Sequence, residues 1–359
     1  MQTLLSASFI AEQPEVDACV GNRRSKRYTA NPAYVRSQWV PEGRSRTRAS
    51  QFSLCAFVLL ILCAESLAPC AAAQVRAEYS PGSTLSNGGT VPDPGFAYTN
   101  QIWYNSADRL CGPKGKTIAF RGQLSILVDN NTVIYVPKFH FLDAKLEFLI
   151  DVAISNGRFD ARNPFDGHKV ITRAAGISNT NLAPLDLGWN LKWVDLQLGV
   201  SVYAPTGRYA PYGPDNLSSG FWTAGPQVGA TFYLSKSKLT QASIFSYYGW
   251  NRVQQGTRIH PGANASVDYA LSHTFPLSAD GKWSLLAGPA GYGQWQTTNR
   301  GGVSSDLSRL LYGVDGVGFT TNLTSPYKGL YVGFSTLFEY DARNTYEGRT
   351  SVINAGLNF

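Results

Sequence analysis

Charge, long apolar runs and usable cysteines are all scarce in this 359-residue chain. Asp, Glu, Lys and Arg together make up 15% of it, although mean hydropathy is an ordinary −0.15. After residue 73 no apolar run is long enough for a membrane-spanning helix, which needs about 20 residues. Methionine occurs only at Met1. Cysteine occurs at positions 19, 55, 63, 70 and 111. With the leader described below removed, Cys111 stands alone, and one thiol makes neither an internal disulfide nor a cysteine-based metal site. The four histidines, His140, His168, His260 and His273, form no H-E-x-x-H or H-x-H pattern. No G-x-S-x-G is present. The residues therefore point to no enzyme and no cofactor.

Glycine and aromatics are what the chain has in quantity: 35 Gly, 19 Tyr, 18 Phe and 8 Trp. Its N-terminal part reads as an address. Arg44, Arg46 and Arg48 precede the apolar stretch Leu54 to Ala64, and Ala71 to Ala73 offer small residues for cleavage before Gln74. That is a secretory signal peptide over 44–73, too short for a spanning helix. Pro69 ahead of Cys70 argues against a lipoprotein. Residues 1–43 are polar and aperiodic, and read as a start assigned too early or as a disordered N-terminal extension of the signal. Without residues 1–73 the chain keeps 23 basic and 19 acidic residues, a net of +4 spread along its length. No basic block suited to nucleic acid remains.

From Gly95 onward, apolar and polar residues alternate with period two, the signature of half-buried strands. Twelve segments follow this rule: 95–105, 131–141, 144–155, 179–189, 193–204, 222–234, 240–251, 262–275, 283–296, 309–322, 329–340 and 349–359. Several have the length of a tilted strand crossing a bilayer. Short links alternate with longer polar ones, notably 106–130, 156–178 and 205–221. That parity predicts an all-β fold: a closed antiparallel transmembrane β-barrel of about 12 strands, up-and-down in topology, over 95–359. Residues 74–94 form a short periplasmic or lumenal segment ahead of it. Closure is required because every backbone amide in hydrocarbon must be paired.

The phase of the charges supports the same fold. Lys145, Glu147, Asp151, Asp195, Gln197, Asp268 and Glu339 all oppose the apolar face of their strands and are candidate lumen-lining residues. On the lipid face near the bilayer midplane, a Lys or Arg would cost about 2–4 kcal/mol. They either pair and fill the lumen or line a path through it. His140, opposite Phe139 and Phe141, is expected at a polar lumen position. His168 and His260 are expected in outer loops, and His273 on the lipid side near a strand end. In the closing strand, Ile353, Leu357 and Phe359 point to lipid and Asn354 and Asn358 to the lumen.

Four stretches in order carry a family resemblance: "NLAPLDLGW" (Asn181 to Trp189), "VYAPTGRY" (Val202 to Tyr209), "YYGWNRVQQGTRIHPGANASVDYAL" (Tyr247 to Leu271) and "GPAGYGQWQTT" (Gly288 to Thr298). They resemble strands and turns of the meta-pathway of phenol degradation family of outer-membrane barrels, over most of residues 130–359. Ile259 or His260 stands where that family has a Tyr, and the Asp before its "P-x-x-LGW" is replaced around Asn179 to Asn181. The resemblance implies an outer-membrane channel or transporter for passive passage of small hydrophobic or aromatic compounds, with no catalytic residues. The alternative is a non-conducting structural or adhesive barrel whose outer loops bind a ligand. A soluble periplasmic β-domain is the third class. A phospholipase barrel is argued against by the residues after His140 and His273, neither of which places a Ser two positions on. The expected location is the outer membrane of a Gram-negative cell. The expected partners are outer-membrane lipid, small apolar solutes and the barrel-assembly machinery, for which resemblance to such barrels makes Phe359 the terminal signal.

Overall fold

The computed structural model describes residues 76–118, 121–162, 169–213, 215–280, 282–327 and 329–359. The expected leader, 44–73, lies outside them. Twelve long strands form the wall: β1 (Gly95–Cys111), β2 (Arg121–Val136), β3 (Ala144–Arg162), β4 (Lys169–Asn190), β5 (Val194–Ala204) and β6 (Thr223–Tyr233), followed by β7 (Thr240–Asn251), β8 (Asn264–Pro276), β9 (Ser284–Gln296), β10 (Gly313–Thr324), β11 (Tyr331–Arg343) and β12 (Thr345–Asn358). A two-residue strand, His140–Phe141, pairs with Ala144 and Lys145 inside the β2–β3 link. Each long strand is antiparallel to its sequence neighbours. β12 then returns to β1, with Ala97 opposite Asn358, Ile102 opposite Ile353 and Cys111 opposite Thr345. The sheet is closed, so it leaves no edge of unpaired amides. Among the described residues no helix is long and apolar enough to cross a membrane.

The alternation sorts side chains as in a barrel set in lipid, with the apolar set outside. Phe148, Ile150 and Ile154 of β3, Leu198 and Val200 of β5, and Val332, Phe334 and Phe338 of β11 are all exposed on the outer wall. Between them, Glu147, Gln197, Ser201, Asp268, Gln294 and Glu339 are buried inside. Pro226 and Pro289 sit in mid-wall strands, where a missing N–H should break the ladder. Each is accommodated by leaving one side unpaired. Pro226 stays in register with Val200 while the β6–β7 ladder skips from Ala224 to Gln227. Pro289 stays in register with Phe319 while the β8–β9 ladder skips between Ala287 and Ala290.

The wall corrects several expected boundaries. Residues 106–130 and 156–178 are not long loops: most of them extend β1 to Cys111, start β2 at Arg121, carry β3 to Arg162 and start β4 at Lys169. Their outward residues include polar Gln123, Arg158 and Asp160 beside apolar Leu127, Ile171 and Ile177, and Arg158 pairs with Asp160. Beyond the apolar band a strand needs no greasy outer face, and Leu124 and Phe159 pack inward instead, so the lipid-facing pattern breaks while the hydrogen-bond ladder continues. The expected strand over 131–141 ends earlier, at Val136. Pro137 follows, and Leu142 and Asp143 turn the chain with φ of 53° and 59°. His140 is therefore exposed at that turn instead of facing the lumen. The expected longer link between β11 and β12 shrinks to Asn344, held at φ 50°, a left-handed conformation that Asn tolerates. Of the three large loops expected, only the one around 205–222 keeps its length.

Candidate functional site

The lumen is occupied by the chain's own N-terminal strap, residues 76–94. Gly95 opens β1 at the end of the barrel that also carries Phe359, whose amide donates to the Phe96 carbonyl at 2.8 Å. From there the strap runs up inside the wall. At the foot, Lys145 reaches the Pro92 carbonyl and pairs with Asp93 at 3.0 Å. Next, the amides of Gly88 and Gly89 donate to Ser243 at 2.8 Å and Thr231 at 3.2 Å. Backbone meets backbone here. A Cβ on Gly229 would lie 1.4 Å from the Gly88 carbonyl oxygen, so the wall residue must be glycine for the strap to pass this close.

Half-way up, Asp268 gathers three donors from the strap: the Tyr79 hydroxyl at 2.7 Å, the Gly82 amide at 2.8 Å and the Thr84 amide at 3.0 Å. Trp103 and Gln294 return the favour, donating to the carbonyls of Pro81 and Tyr79. Leu85 packs into the apolar cluster of Tyr292, Val314 and Leu337. At the far end Arg76 forks onto Glu339 at 2.8 and 3.2 Å and also donates to Thr345 and the Tyr346 carbonyl. Glu339 accepts further from Asn105 at 2.9 Å, Tyr292 at 2.6 Å and the Gly348 amide at 2.8 Å. A buried carboxylate needs this many donors to stay inside the protein.

The far mouth is narrowed further by the 205–222 loop, which folds inward. Leu217, Ser218, Ser219 and Phe221 are buried. Ser178 donates to the Leu217 carbonyl at 2.7 Å, and Asn179 donates to both Ser219 and strap Glu78, at 3.0 and 2.7 Å. Burial pushes the Glu78 carboxyl above its ordinary range, opposed by the hydrogen bonds from Ser219 and Asn179.

The strap leans mostly on the wall from β6 round to β12 and touches β1, β3 and β4 only at scattered points, which leaves space on that side. A cavity of about 530 Å³ lies between the strap and a wall supplied mostly by β1–β4, with Gln197, Gln227 and Gln294 reaching in from other strands. One wall carries Leu124, Ile126, Val128, Ile134 and Leu149, interrupted by Asn130, Thr132 and Asp151. Glu78, Glu147 and Asp186 add further polar lining.

The seven residues picked from the sequence thus separate into different roles. Asp268 and Glu339 hold the strap, and Lys145 ties its foot. Glu147, Asp151 and Gln197 line the cavity. Asp195 is buried at the base and accepts from the Tyr233 hydroxyl at 2.5 Å. Asp186 was missed, although its position between outward Leu185 and Leu187 marks it as inward. Arg76, Glu78 and Tyr79 were missed too, because nothing local in the strap says which wall residue it meets. His273 donates to or accepts from Thr240 at 2.8 Å and stacks edge-on with Phe275. His260 is exposed in the 252–263 loop, and His168 lies outside the described residues.

A family model described as "Putative MetA-pathway of phenol degradation" matches residues 85–354. The chain belongs to this family. Among solved structures, an outer membrane channel from Pseudomonas putida F1 shares the fold with a TM-score of 0.57 at 13% identity, over 79% of this chain and all of that one. The β domain of the Bordetella autotransporter BrkA aligns with a TM-score of 0.45 at 9% identity, over 74% of this chain and all of that one. No curated protein matches the sequence. The phenol-degradation family match takes in the second half of the strap, from Leu85 onward, together with nearly the whole wall.

Proposed function

We propose that this protein is an outer-membrane channel for passive passage of small hydrophobic or aromatic compounds, set with both ends of the wall chain on the periplasmic side. The cavity carries this reading: a space of about 530 Å³, the size of pockets that hold small organic molecules, runs beside a partly apolar wall within a closed barrel. Membership in a phenol-degradation family and likeness to a Pseudomonas putida outer membrane channel support it. Selectivity is set by cavity chemistry and by the inward-folded loop. The strap favours a second reading, a non-conducting structural or adhesive barrel that binds ligands at its outer loops. Liposome swelling with phenol and toluene-sized aromatic solutes separates the two. Swelling faster than in protein-free vesicles is expected, and none at all, together with no single-channel conductance, sinks the channel.

Phe359 is proposed as the signal read by the barrel-assembly machinery. It is exposed at the base of the wall, so it contributes little burial to the fold. Deleting it, or adding a polar tail after it, is expected to cut severalfold the heat-modifiable barrel recovered from outer membranes. Its small packing contribution makes a loss of that size a matter of assembly instead of stability. Equal recovery of both variants and the natural protein would show the ending to be incidental.

A further inference from the structure

The cavity has an uneven chemistry that an apolar solute alone leaves unexplained. Glu147 and Asp186 face each other across the β3–β4 ladder, and both are buried. Asp186 takes the amides of Gln197 and Gln227 on one oxygen, at 3.1 and 2.5 Å. Its other oxygen is buried and makes no hydrogen bond of normal length and angle, although the Val200 amide lies near the carboxyl. It occupies the room left by Gly199, where a Cβ would come within 1.4 Å of it. None of the ion pairs among the described residues reaches either carboxylate: Lys145, the nearest in sequence, is turned onto Asp93, and Arg76 is engaged with Glu339.

The same imbalance recurs along the cavity lining. Glu78 Oε1, Asn179 Oδ1 and Gln294 Oε1 are buried without partners. The Ser155 hydroxyl is unpartnered there too, but the other unpartnered groups only accept, so acceptors outnumber donors in the lining. Leaving buried acceptors and carboxylates uncompensated is costly. Among the described residues, no group of three or more His, Cys, Asp or Glu side chains converges as a metal site would require. An ammonium suits two carboxylates better: it brings one charge and three donors, and such charged hydrogen bonds are the strong ones. Directly beyond Glu147 on the same strand, Leu149 lies in register with Ile134 of β2 and Ala183 of β4, so an apolar body has a surface beside the ammonium seat.

We infer that the cavity seats an amphipathic cation, a protonated amine on a small apolar body, with its ammonium at Glu147 and Asp186 and its body along the β2–β3 wall. The inference rests on the channel reading and narrows its solute class. The test uses the full barrel in detergent at neutral pH and three ligands of one shape: 2-phenylethylamine, 2-phenylethanol and 3-phenylpropanoate. Calorimetry should find the amine bound about tenfold tighter than the alcohol, with the carboxylate weakest. Glu147→Gln combined with Asp186→Asn should abolish the difference between amine and alcohol. An alcohol bound as tightly as the amine overturns the inference, as does a preference that survives in a folded double variant. The ligand comparison in the natural protein decides the matter even where that variant fails to fold. Swelling assays keep the two proposals apart. If alcohol and amine cross equally, the channel stands and the amine site falls. If neither binds nor crosses, both fall.

Discussion

Removing residues 76–94 is expected to raise single-channel conductance by roughly an order of magnitude while the barrel still folds. A barrel of about 8 strands has an interior that side chains alone can fill, and diameter grows with strand number. Twelve strands leave a lumen that side chains do not fill, and here the strap takes up much of it. The strap supplies side-chain and amide bonds to Asp268, Thr231, Ser243 and Glu339, but no rung of the ladder that closes the wall. Once it is gone, water reaches those polar groups, so Asp268 and Glu339 exchange strap donors for solvent instead of standing orphaned. The truncated chain should thus remain heat-modifiable on gels. A folded truncated barrel with unchanged conductance would show that the strap is not the restriction, and would move attention to the inward 205–222 loop.

How much of this was readable from the chain follows from where the physics is local. In β3, β5, β8 and β11, lipid on one side and polar lumen on the other force each residue to declare itself. Period two therefore located those strands and placed Glu147, Asp195, Asp268 and Glu339 inside. The signal failed at the upper parts of β1 to β4. There Ser106, Gln123, Arg158 and Asp160 lie on the outside while Ala107, Leu124 and Phe159 pack inside, so the apolar set changes face and the lipid-facing alternation is lost. It failed again at 131–141, where Phe139 and Phe141 imitate a strand that Pro137 ends. The strap was beyond reach for a different reason. Its stability comes from contacts such as Arg76 with Glu339, separated by most of the chain, and no short window contains both partners. Even so, the sequence posed the right alternatives for the lumen charges: filling it or lining it. Asp268 and Glu339 fill, bound to the strap, while Glu147 and Asp151 line the space that is left.

That division predicts a large and unequal effect at the far end of the strap. Glu339→Ala is expected to destabilise the barrel by about 3–5 kcal/mol, the usual cost of removing one partner from a buried ion pair. The reason lies in what stays behind: Arg76 keeps a guanidinium whose side chain is 13% exposed, while Asn105, Tyr292 and the Gly348 amide lose a shared acceptor. Arg76→Ala should cost less, because Glu339 retains those three donors. The pair Arg76→Ala with Glu339→Ala should be less destabilised than the sum of the single changes, since no unpaired charge remains. The midpoint of heat modification on gels reads all three. Additive costs would mean that the two side chains hardly interact, and that the strap is anchored by Asp268 and its lower contacts instead. A coupled result fixes Glu339 as the clasp, and then Glu339→Ala should also free the upper strap and raise conductance part of the way towards the truncated barrel.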